Sequence, residues 1–395
     1  MTAAAALGLV AVALLSVNLR PGATGVGPVL PELRADLAMS PGLAGLLVGL
    51  PGFCFAAGGA VAVRVASRLG TAGALTAGAG LVAVGALGRA LVGGSWAFLL
   101  LSAVTLLGAA LGNILLPAFV KRFFPSRQAL MMTVYTGMLS LGATVPGLIT
   151  PVLLARSPHG WRDALGLWGV VAALAMVPWA LLGRRERAAR GDAPRQAGGS
   201  VFGMVRSRRA VALAVFFGVQ SMQAYVSFGW LAEILRDAGA SQTYASLMTS
   251  LYAGLGLPAS LVIPGLVHRS RRLGAWVTAF VAMFLAGFLG LLLAPMAAPW
   301  LWVTLTGTAG CMFPMALTLI PMRTREPAVT ARLSAFSQST GYLLSGLGPL
   351  LMGVLHDATG GWTVPLAVMC ASALPLLAGG LVIARPGYVD DDLVA

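Results

Sequence analysis

Charged residues, and acidic residues above all, are scarce in this sequence. Only 10% of its 395 residues are charged, whereas soluble domains carry about 25%. Asp and Glu number 12 against 26 Lys and Arg, while hydrophobic residues make up 58% of the chain. The mean hydropathy is +0.88. So few charges exclude an ordinary soluble domain, and we expect an integral membrane protein.

Residues that carry catalysis or bind metals are also few. The histidines fall in predicted joints and the cysteines are scattered: His159, His268, His356, Cys54, Cys311 and Cys370. This spacing indicates neither a metal site nor a cysteine framework, and no GxxxxGK[ST] phosphate loop suggests an ATP-driven pump. We expect no enzyme, no metal and no cofactor. A sensor or receptor stays open as an alternative, although no sequence resembling a signalling domain is attached.

Long apolar runs recur from end to end, separated by charged or Gly/Pro-rich joints. A run of about 20 apolar residues is long enough for a helix to cross a bilayer. The first run has no cleavage-site pattern, so we interpret it as a retained helix. Twelve candidate spans lie at 4–31, 42–63, 71–92, 96–120, 129–155, 162–183, 210–235, 243–267, 274–294, 298–321, 328–354 and 363–384. They predict an all-α polytopic membrane protein with twelve transmembrane helices in two pseudo-symmetric six-helix halves.

One joint is much longer than the others. It is "GRRERAARGDAPRQAGGSVFGMVRSRR" (183–209), which is polar, Arg-rich and punctuated by Gly and Pro. Such a composition is typical of a linker. We predict an N-terminal six-helix bundle at 1–183, a cytoplasmic linker at 184–209 and a C-terminal six-helix bundle at 210–395.

The two halves resemble each other. "RVASRLG" (64–70) follows span 2, and "HRSRRLG" (268–274) follows span 8. Spans 5 and 11 align "TVYTGMLSLGATVPG" with "AFSQSTGYLLSGLGPL", which places Tyr135 over Gln338. Related halves that bind a solute between them near the midplane are a plan typical of transporters.

The basic residues lie mainly on one side of the predicted membrane. With the N-terminus inside, 20 of the 26 Lys and Arg residues fall in cytoplasmic joints and four in outer joints. This asymmetry follows the positive-inside rule, so we predict a multi-pass protein of the cytoplasmic (inner) membrane with both termini in the cytoplasm. The net charge of +14 is then topological. We expect the lipid bilayer rather than nucleic acid as a partner, and a monomer.

Four segments carry a resemblance to a known family. They are "NLRP" (18–21), "GNILLPAFVKRFFP" (112–125), "FFGVQSMQAYVSFGWLAEILRDAG" (216–239) and "QSTGYLLSGLGPLLMGVLHDATGGW" (338–362). With the architecture, they resemble the major facilitator superfamily and, within it, the cyanate porter and 2-nitroimidazole exporter (CynX/NimT) family. The resemblance covers nearly the whole chain and implies transport by alternating access. One branch is associated with cyanate, a small anion, and the other with export of nitroimidazole drugs.

The joint after span 2 departs from the superfamily pattern, because the usual Asp is missing from "RVASRLG". The gating salt bridge that the superfamily assigns to this Asp is therefore not expected here. Basic residues of this joint and of the joint after span 8 lie on the predicted cytoplasmic face, so we expect them to act in orientation and gating rather than in selectivity. They are Arg64, Arg68, Arg269, Arg271 and Arg272.

Arg20 stands out because it lies inside the first span. It is about 16 residues into that span, on the order of 24 Å from the inner end, and an arginine facing lipid costs at least about 2.5 kcal/mol. Pro21 bends the helix, and Ser16, Arg20 and Thr24 share one face. No acidic residue lies in the middle of a span. We expect Arg20, with Asn18 and Thr24, to bind an anionic or strongly polarised solute. Bracing of the bend through freed carbonyls is the alternative.

Polar stripes in other spans supply candidate walls for the same site. Their amides and phenols can orient a small polar solute without adding a second charge. The candidates are Asn113 in span 4, Tyr135 in span 5, Gln220, Gln223 and Tyr225 in span 7, and Gln338 and Tyr342 in span 11. For each residue alone, a hydrogen bond between helices is an equal alternative.

Residues near the outer ends of the spans have simpler explanations. Arg89 in span 3 is expected to extend its long side chain to the headgroups. Glu233 in span 7 is the candidate for proton coupling, although a solvated helix end explains it equally well. Tryptophans near the outer joints indicate an interfacial belt: Trp96, Trp161, Trp300, Trp302 and Trp362.

Together these features predict a secondary active or facilitative transporter of a small anionic or polar solute, similar to the cyanate porter. An exporter of nitroimidazole-type or other small aromatic drugs is the alternative. Exchange or uncoupled transport is favoured over proton coupling, because the middle of the spans holds no carboxylate or histidine.

Overall fold

The computed structural model describes residues 3–39, 41–190 and 200–394, and nearly all of them are helical. The chain forms two compact units. The first comprises Met1–Val201 with Thr330–Ala335, and the second comprises Phe202–Val329 with Phe336–Ala395.

The described helices of the first unit follow the predicted spans closely. They are α1 (Ala3–Asn18), α2 (Pro21–Thr24), α3 (Leu30–Asp36), α4 (Pro41–Leu69), α5 (Thr71–Leu91), α6 (Ser95–Phe123), α7 (Gln128–Arg156) and α8 (Trp161–Arg190). Residues 184–190, predicted as the start of the linker, continue α8. The centre of the predicted linker, 191–199, lies outside the described residues.

The second unit contains more helices than spans, because several spans are broken. Its helices are α9 (Arg208–Asp237), α10 (Gln242–Gly254), α11 (Gly256–Arg269), α12 (Leu273–Leu293), α13 (Pro299–Ala309), α14 (Met312–Met322), α15 (Pro327–Thr359), α16 (Thr363–Ala371), α17 (Ala373–Ala384) and α18 (Val389–Val394). The breaks at Leu255, at Gly310–Cys311 and at Ser372 divide predicted spans 8, 10 and 12.

The number of membrane-length helices agrees with a polytopic protein. Among the described residues, ten helices are long and apolar enough to cross a membrane, or eleven if the bent pair Gly49–Gly59 and Val61–Leu69 counts as one span. α15, with 33 residues, is long enough to cross but carries a row of polar residues. It corresponds to predicted span 11. Predicted span 1 runs over α1, α2 and the start of α3, and each of the other predicted spans overlaps one helix or a broken pair.

A face of small residues lets α5 pack closely against α6. A Cβ added to Gly108 of α6 would come within 2.5 Å of the carbonyl oxygen of Gly78 in α5. Small residues permit such an approach of two helix backbones.

Two of the tryptophans predicted for the interfacial belt make hydrogen bonds inside their own unit. Trp161, at the start of α8, is only 5% exposed and donates its indole N–H to Asp36 over 3.1 Å. Trp362, just before α16, donates to Asp237 over 2.7 Å. A carboxylate at the end of a neighbouring helix is a charged acceptor and hence a strong one. In each unit, the bond ties the C-terminal end of the first span to the start of the sixth.

Carboxylates also accept hydrogen bonds from backbone N–H groups at the other ends of the helices. Glu186, near the end of α8, is buried and accepts hydrogen bonds from the backbone N–H of Ala72 over 2.8 Å and from Arg122 over 2.9 Å. In the second unit, Asp390 accepts from the backbone N–H groups of Arg325 and of the next residue over 2.9 and 3.1 Å. Negative charge on the first amides of a helix stabilises it through the helix dipole.

Candidate functional site

The first span is broken next to Arg20. α1 ends at Asn18 and α2 begins at Pro21, which has no N–H to donate to the carbonyl of Val17. The carbonyl of Arg20 starts the next turn and accepts the backbone N–H of Thr24 over 2.9 Å. Arg20 is half-buried at this break. The helix is therefore interrupted at Pro21, where a bend was predicted.

The freed carbonyl of Val17 lies against a glycine of α7. A Cβ added to Gly142 would come 2.1 Å from the oxygen of Val17 and 2.9 Å from its carbonyl carbon. Only a residue without a side chain fits there, because the backbone of α1 cannot give way as a flexible side chain would. Gly142 thus lets α7 support the break.

The side chains near Arg20 bond mainly to their own helix. The buried Asn18 donates to the carbonyl of Leu14 over 2.8 Å, and Ser16 donates to the helix one turn earlier over 2.6 Å. Thr24 is exposed and donates to the carbonyl of Arg20 over 3.1 Å. The predicted stripe of Ser16, Arg20 and Thr24 needs an unbroken helix, and the break interrupts it.

Arg89 is buried inside the first unit, so the expectation that it reaches the headgroups is wrong. Its side chain is 0% exposed, and Nη1 donates to the carbonyl oxygen of Gly22 over 3.1 Å. Its Cζ atom lies 5.9 Å from the centre of the Phe98 ring. The physical reason is the close packing of α5 and α6 around Arg89. Because Gly22 follows Arg20 by two residues, both arginines lie near the break.

Asn113 of α6 and Tyr135 of α7 are brought together in the first unit. Both side chains are buried. The Tyr135 hydroxyl lies 3.2 Å from Oδ1 of Asn113 and 3.3 Å from its carbonyl oxygen. The two candidate residues therefore make a hydrogen bond between helices, which was the alternative to solute binding, and they form a joint polar group.

In the second unit, α9 carries three of the candidate residues. Gln223 donates its side-chain N–H to the hydroxyl of Ser372 over 2.8 Å, at the break between α16 and α17. Gln220 donates to the carbonyl of Phe217 over 3.1 Å and lies 2.6 Å from the hydroxyl of Ser221. Tyr225 is half-buried. Ser372 was not among the predicted residues, because a single serine in an apolar span does not indicate a break.

The candidates of α15 lie in the interior of the second unit. Gln338 and Tyr342 are 0% and 1% exposed. The ring of Tyr342 meets the ring of Phe217 edge to face, with centroids 5.4 Å apart. This contact joins α15 to α9, the helix that carries Gln220 and Gln223.

The predicted gating and coupling residues lie at exposed positions. Arg64, Arg68, Arg269 and Arg272 are exposed at the ends of α4 and α11 or just beyond them. Glu233 is exposed near the end of α9. Among the described residues, no group of three or more His, Cys, Asp or Glu side chains could hold a metal ion.

The membrane-length helices of the described residues define a polytopic membrane protein. The chain belongs to the Major Facilitator Superfamily, whose family model matches residues 7–345. A solved structure described as the proton:xylose symporter XylE bound to 6-bromo-6-deoxy-D-glucose has the same fold. Its TM-score is 0.72 at 14% identity, over 96% of this chain and 94% of that one.

Two curated relatives are similar over nearly their full lengths. The 2-nitroimidazole transporter of Escherichia coli (strain K12) is 33% identical over 377 residues, which cover 94% of this chain and 94% of the relative. The cyanate transport protein CynX of the same strain is 32% identical over 378 residues, which cover 93% and 95%. The resemblance predicted from the four sequence segments is thereby confirmed.

Proposed function

We propose that this protein is a secondary active or facilitative transporter that carries a small anionic or polar solute across the cytoplasmic membrane by alternating access. Arg20 binds the negative charge of the solute, and the amides and phenols of α6, α7, α9 and α15 orient it. The proposal includes a monomer with both termini in the cytoplasm and assigns no catalysis.

The observation that carries the proposal is the position of Arg20. A fixed positive charge within a membrane span is costly, and here it lies at a helix break held in place by Pro21 and Gly142. The planar guanidinium binds the oxygens of a small anion through parallel hydrogen bonds. The name of the relative CynX, a cyanate transport protein, supports an anionic solute.

An exporter of nitroimidazole-type drugs is the second candidate function. It is supported by the 2-nitroimidazole transporter, which is as similar to this chain as CynX is. A nitro group presents two partly negative oxygens, so Arg20 suits it as well. Under this alternative, half-buried aromatic residues such as Tyr225 contact the solute ring.

Flux into vesicles made with the purified protein tests both candidates. We expect labelled cyanate or 2-nitroimidazole to enter without ATP. Arg20→Ala and Arg20→Lys should each lower the initial rate by about tenfold or more, because lysine keeps the charge but loses the planar fork. Arg34→Lys, an exposed position on α3, is the matched control. A folded Arg20→Ala protein that transports at the wild-type rate would refute the role of Arg20, and binding without flux would indicate a sensor.

A further inference from the structure

Arg89 has more hydrogen-bond donors than its surroundings accept. A guanidinium carries five N–H groups, and Nη1 is bound to the carbonyl of Gly22. Nε and Nη2 have no hydrogen-bond partner among the residues that the structure describes. These two nitrogens form one edge of the guanidinium, which can bind two oxygens of a planar anion side by side. Because Arg89 is 0% exposed, bulk solvent does not reach this edge.

Ser102 of α6 is a second buried polar group in the same region. Its hydroxyl is 0% exposed and has no partner within the described part of the chain. Ser102 follows Phe98, the ring next to Arg89, by one turn. It precedes Thr105, whose methyl group lies 3.0 Å from a Cβ built on Gly22. One face of α6 therefore meets both Arg89 and Gly22, with Ser102 between the two contacts.

The charge of Arg89 is not balanced by the protein that surrounds it. None of the ion pairs between described residues includes Arg89. A buried guanidinium needs hydrogen bonds or a counter-charge in place of its lost hydration, and the carbonyl of Gly22 accepts only one of its hydrogen bonds. A bound anion would supply further hydrogen-bond acceptors and a counter-charge.

We propose that Arg89 and Ser102 form a second anion subsite, next to Gly22 on α2, for planar oxyanions such as nitrate, bicarbonate or a carboxylate. The Nε and Nη2 edge binds two oxygens, and the Ser102 hydroxyl donates to an oxygen of the same anion. The bond from Nη1 to Gly22 fixes the orientation of the guanidinium. The role of the subsite beside Arg20 rests on the proposed anion transport. Binding of an anion to the subsite can be measured without transport.

Equilibrium binding of sodium nitrate to the full-length purified protein tests the subsite. The experiment uses the Arg20→Ala variant as background, so that Arg20 cannot be the source of binding, and sodium gluconate keeps the ionic strength constant. Nitrate that binds the folded state raises the Tm by mass action. Adding Arg89→Lys should raise the apparent Kd for nitrate by about tenfold or more, because lysine cannot offer the two-nitrogen edge. Ser102→Ala should raise this Kd by about threefold, and Arg34→Lys should leave the Kd unchanged.

Three results would overturn the subsite. One is that nitrate, bicarbonate and benzoate all fail to stabilise the Arg20→Ala background. Another is that Arg89→Lys binds nitrate as tightly as its background, which would assign Arg89 to positioning α2 through a single donor. The third result applies if Arg89→Lys does not fold: nitrate binding that is unchanged in Ser102→Ala would then overturn the subsite.

The subsite and the proposed function can fail separately. Nitrate binding that depends on Arg89, together with no solute flux in wild-type vesicles, would refute transport and keep the subsite. Flux that depends on Arg20, together with nitrate binding insensitive to Arg89 and Ser102, would keep transport and refute the subsite.

Discussion

At the scale of single residues, the first span shows a proline and a glycine acting on one carbonyl group. Pro21 removes the donor that Val17 would have in a continuous helix, and Gly142 of α7 packs directly on the oxygen left free. The contact leaves no room for a methyl group. The break that presents Arg20 therefore depends on a residue more than a hundred positions away in the sequence.

Gly142→Ala should destabilise the protein by about 1–3 kcal/mol, because the new methyl group overpacks a backbone contact that cannot relax. Gly147→Ala is the matched control in the same helix, since a Cβ there meets nothing within 4 Å. The measurement is the Tm of the purified proteins. Equal Tm values for the two variants would contradict the contact between Gly142 and Val17.

The two intramembrane arginines differ in how well the sequence predicts them. Arg20 is followed by Pro21, and that pair indicates a bend with a polar group at it. Arg89 lies near the end of a span, where an extended side chain is the simpler expectation. Its burial follows from the Gly- and Ala-rich face of α5, which packs tightly enough against α6 to enclose it. A single arginine near a span end gives no sign of which face it occupies until that packing is known.

At the scale of elements, the bounds of the helices follow the sequence within a few residues. Charged residues, Gly and Pro stand at the joints between apolar runs, so the joints can be recognised. The breaks in spans 8, 10 and 12 could not be predicted in the same way. Leu255 lies between two glycines, but the chain has 51 glycines, and most lie inside helices where they permit close packing.

The hydrogen bond from Trp161 of α8 to Asp36 of α3 allows a second stability test. Trp161→Phe removes the indole donor to Asp36 and should lower the Tm more than Trp300→Phe, which alters an exposed ring.

Arg162 and Trp161 lower the pKa of Asp36 below its ordinary value of 3.8, Arg162 having the larger effect. A depressed carboxyl pKa contributes stability that is fully present above 3.8 and lost as the pH falls through the folded value. The Tm loss in Asp36→Asn should therefore be the same at pH 7 and pH 5 and should shrink below 3.8. A Tm loss that disappears already at pH 5 would contradict this linkage.

At the scale of the whole molecule, composition alone indicates the class, because a chain with 10% charged residues can only be stable with most of its surface in lipid. The helical fold follows from the apolar runs, and the family follows from the four segments quoted above. The solute does not follow from composition, since we propose that a few polar side chains inside the spans select it. In the described residues, several of these side chains already bond to one another, as Asn113 does to Tyr135 and Gln223 to Ser372. If these side chains bind the solute as we propose, they are already held in place by hydrogen bonds within their own unit.

The acidic residues bear on how the proposed transport would be driven. Glu186 is the single buried acidic side chain within the described residues, and it is engaged by Ala72 and Arg122 at the end of α8. Glu233 is exposed near the end of α9. A proton symporter of an anion needs a titrating group within reach of its site, whereas Glu186 is already bonded and Glu233 is exposed near a helix end. We therefore predict exchange or uncoupled transport.

In reconstituted vesicles, Glu233→Gln should retain most of the wild-type flux, because an exposed carboxylate near the end of α9 is a solvated helix-end group and not a buried proton carrier. An imposed pH gradient should not by itself accumulate a permanently charged anion such as nitrate. Weakly acidic solutes are unsuitable for this test, since their neutral forms cross the bilayer unaided. Accumulation that follows the pH gradient in the wild type and disappears in Glu233→Gln would make Glu233 the proton carrier.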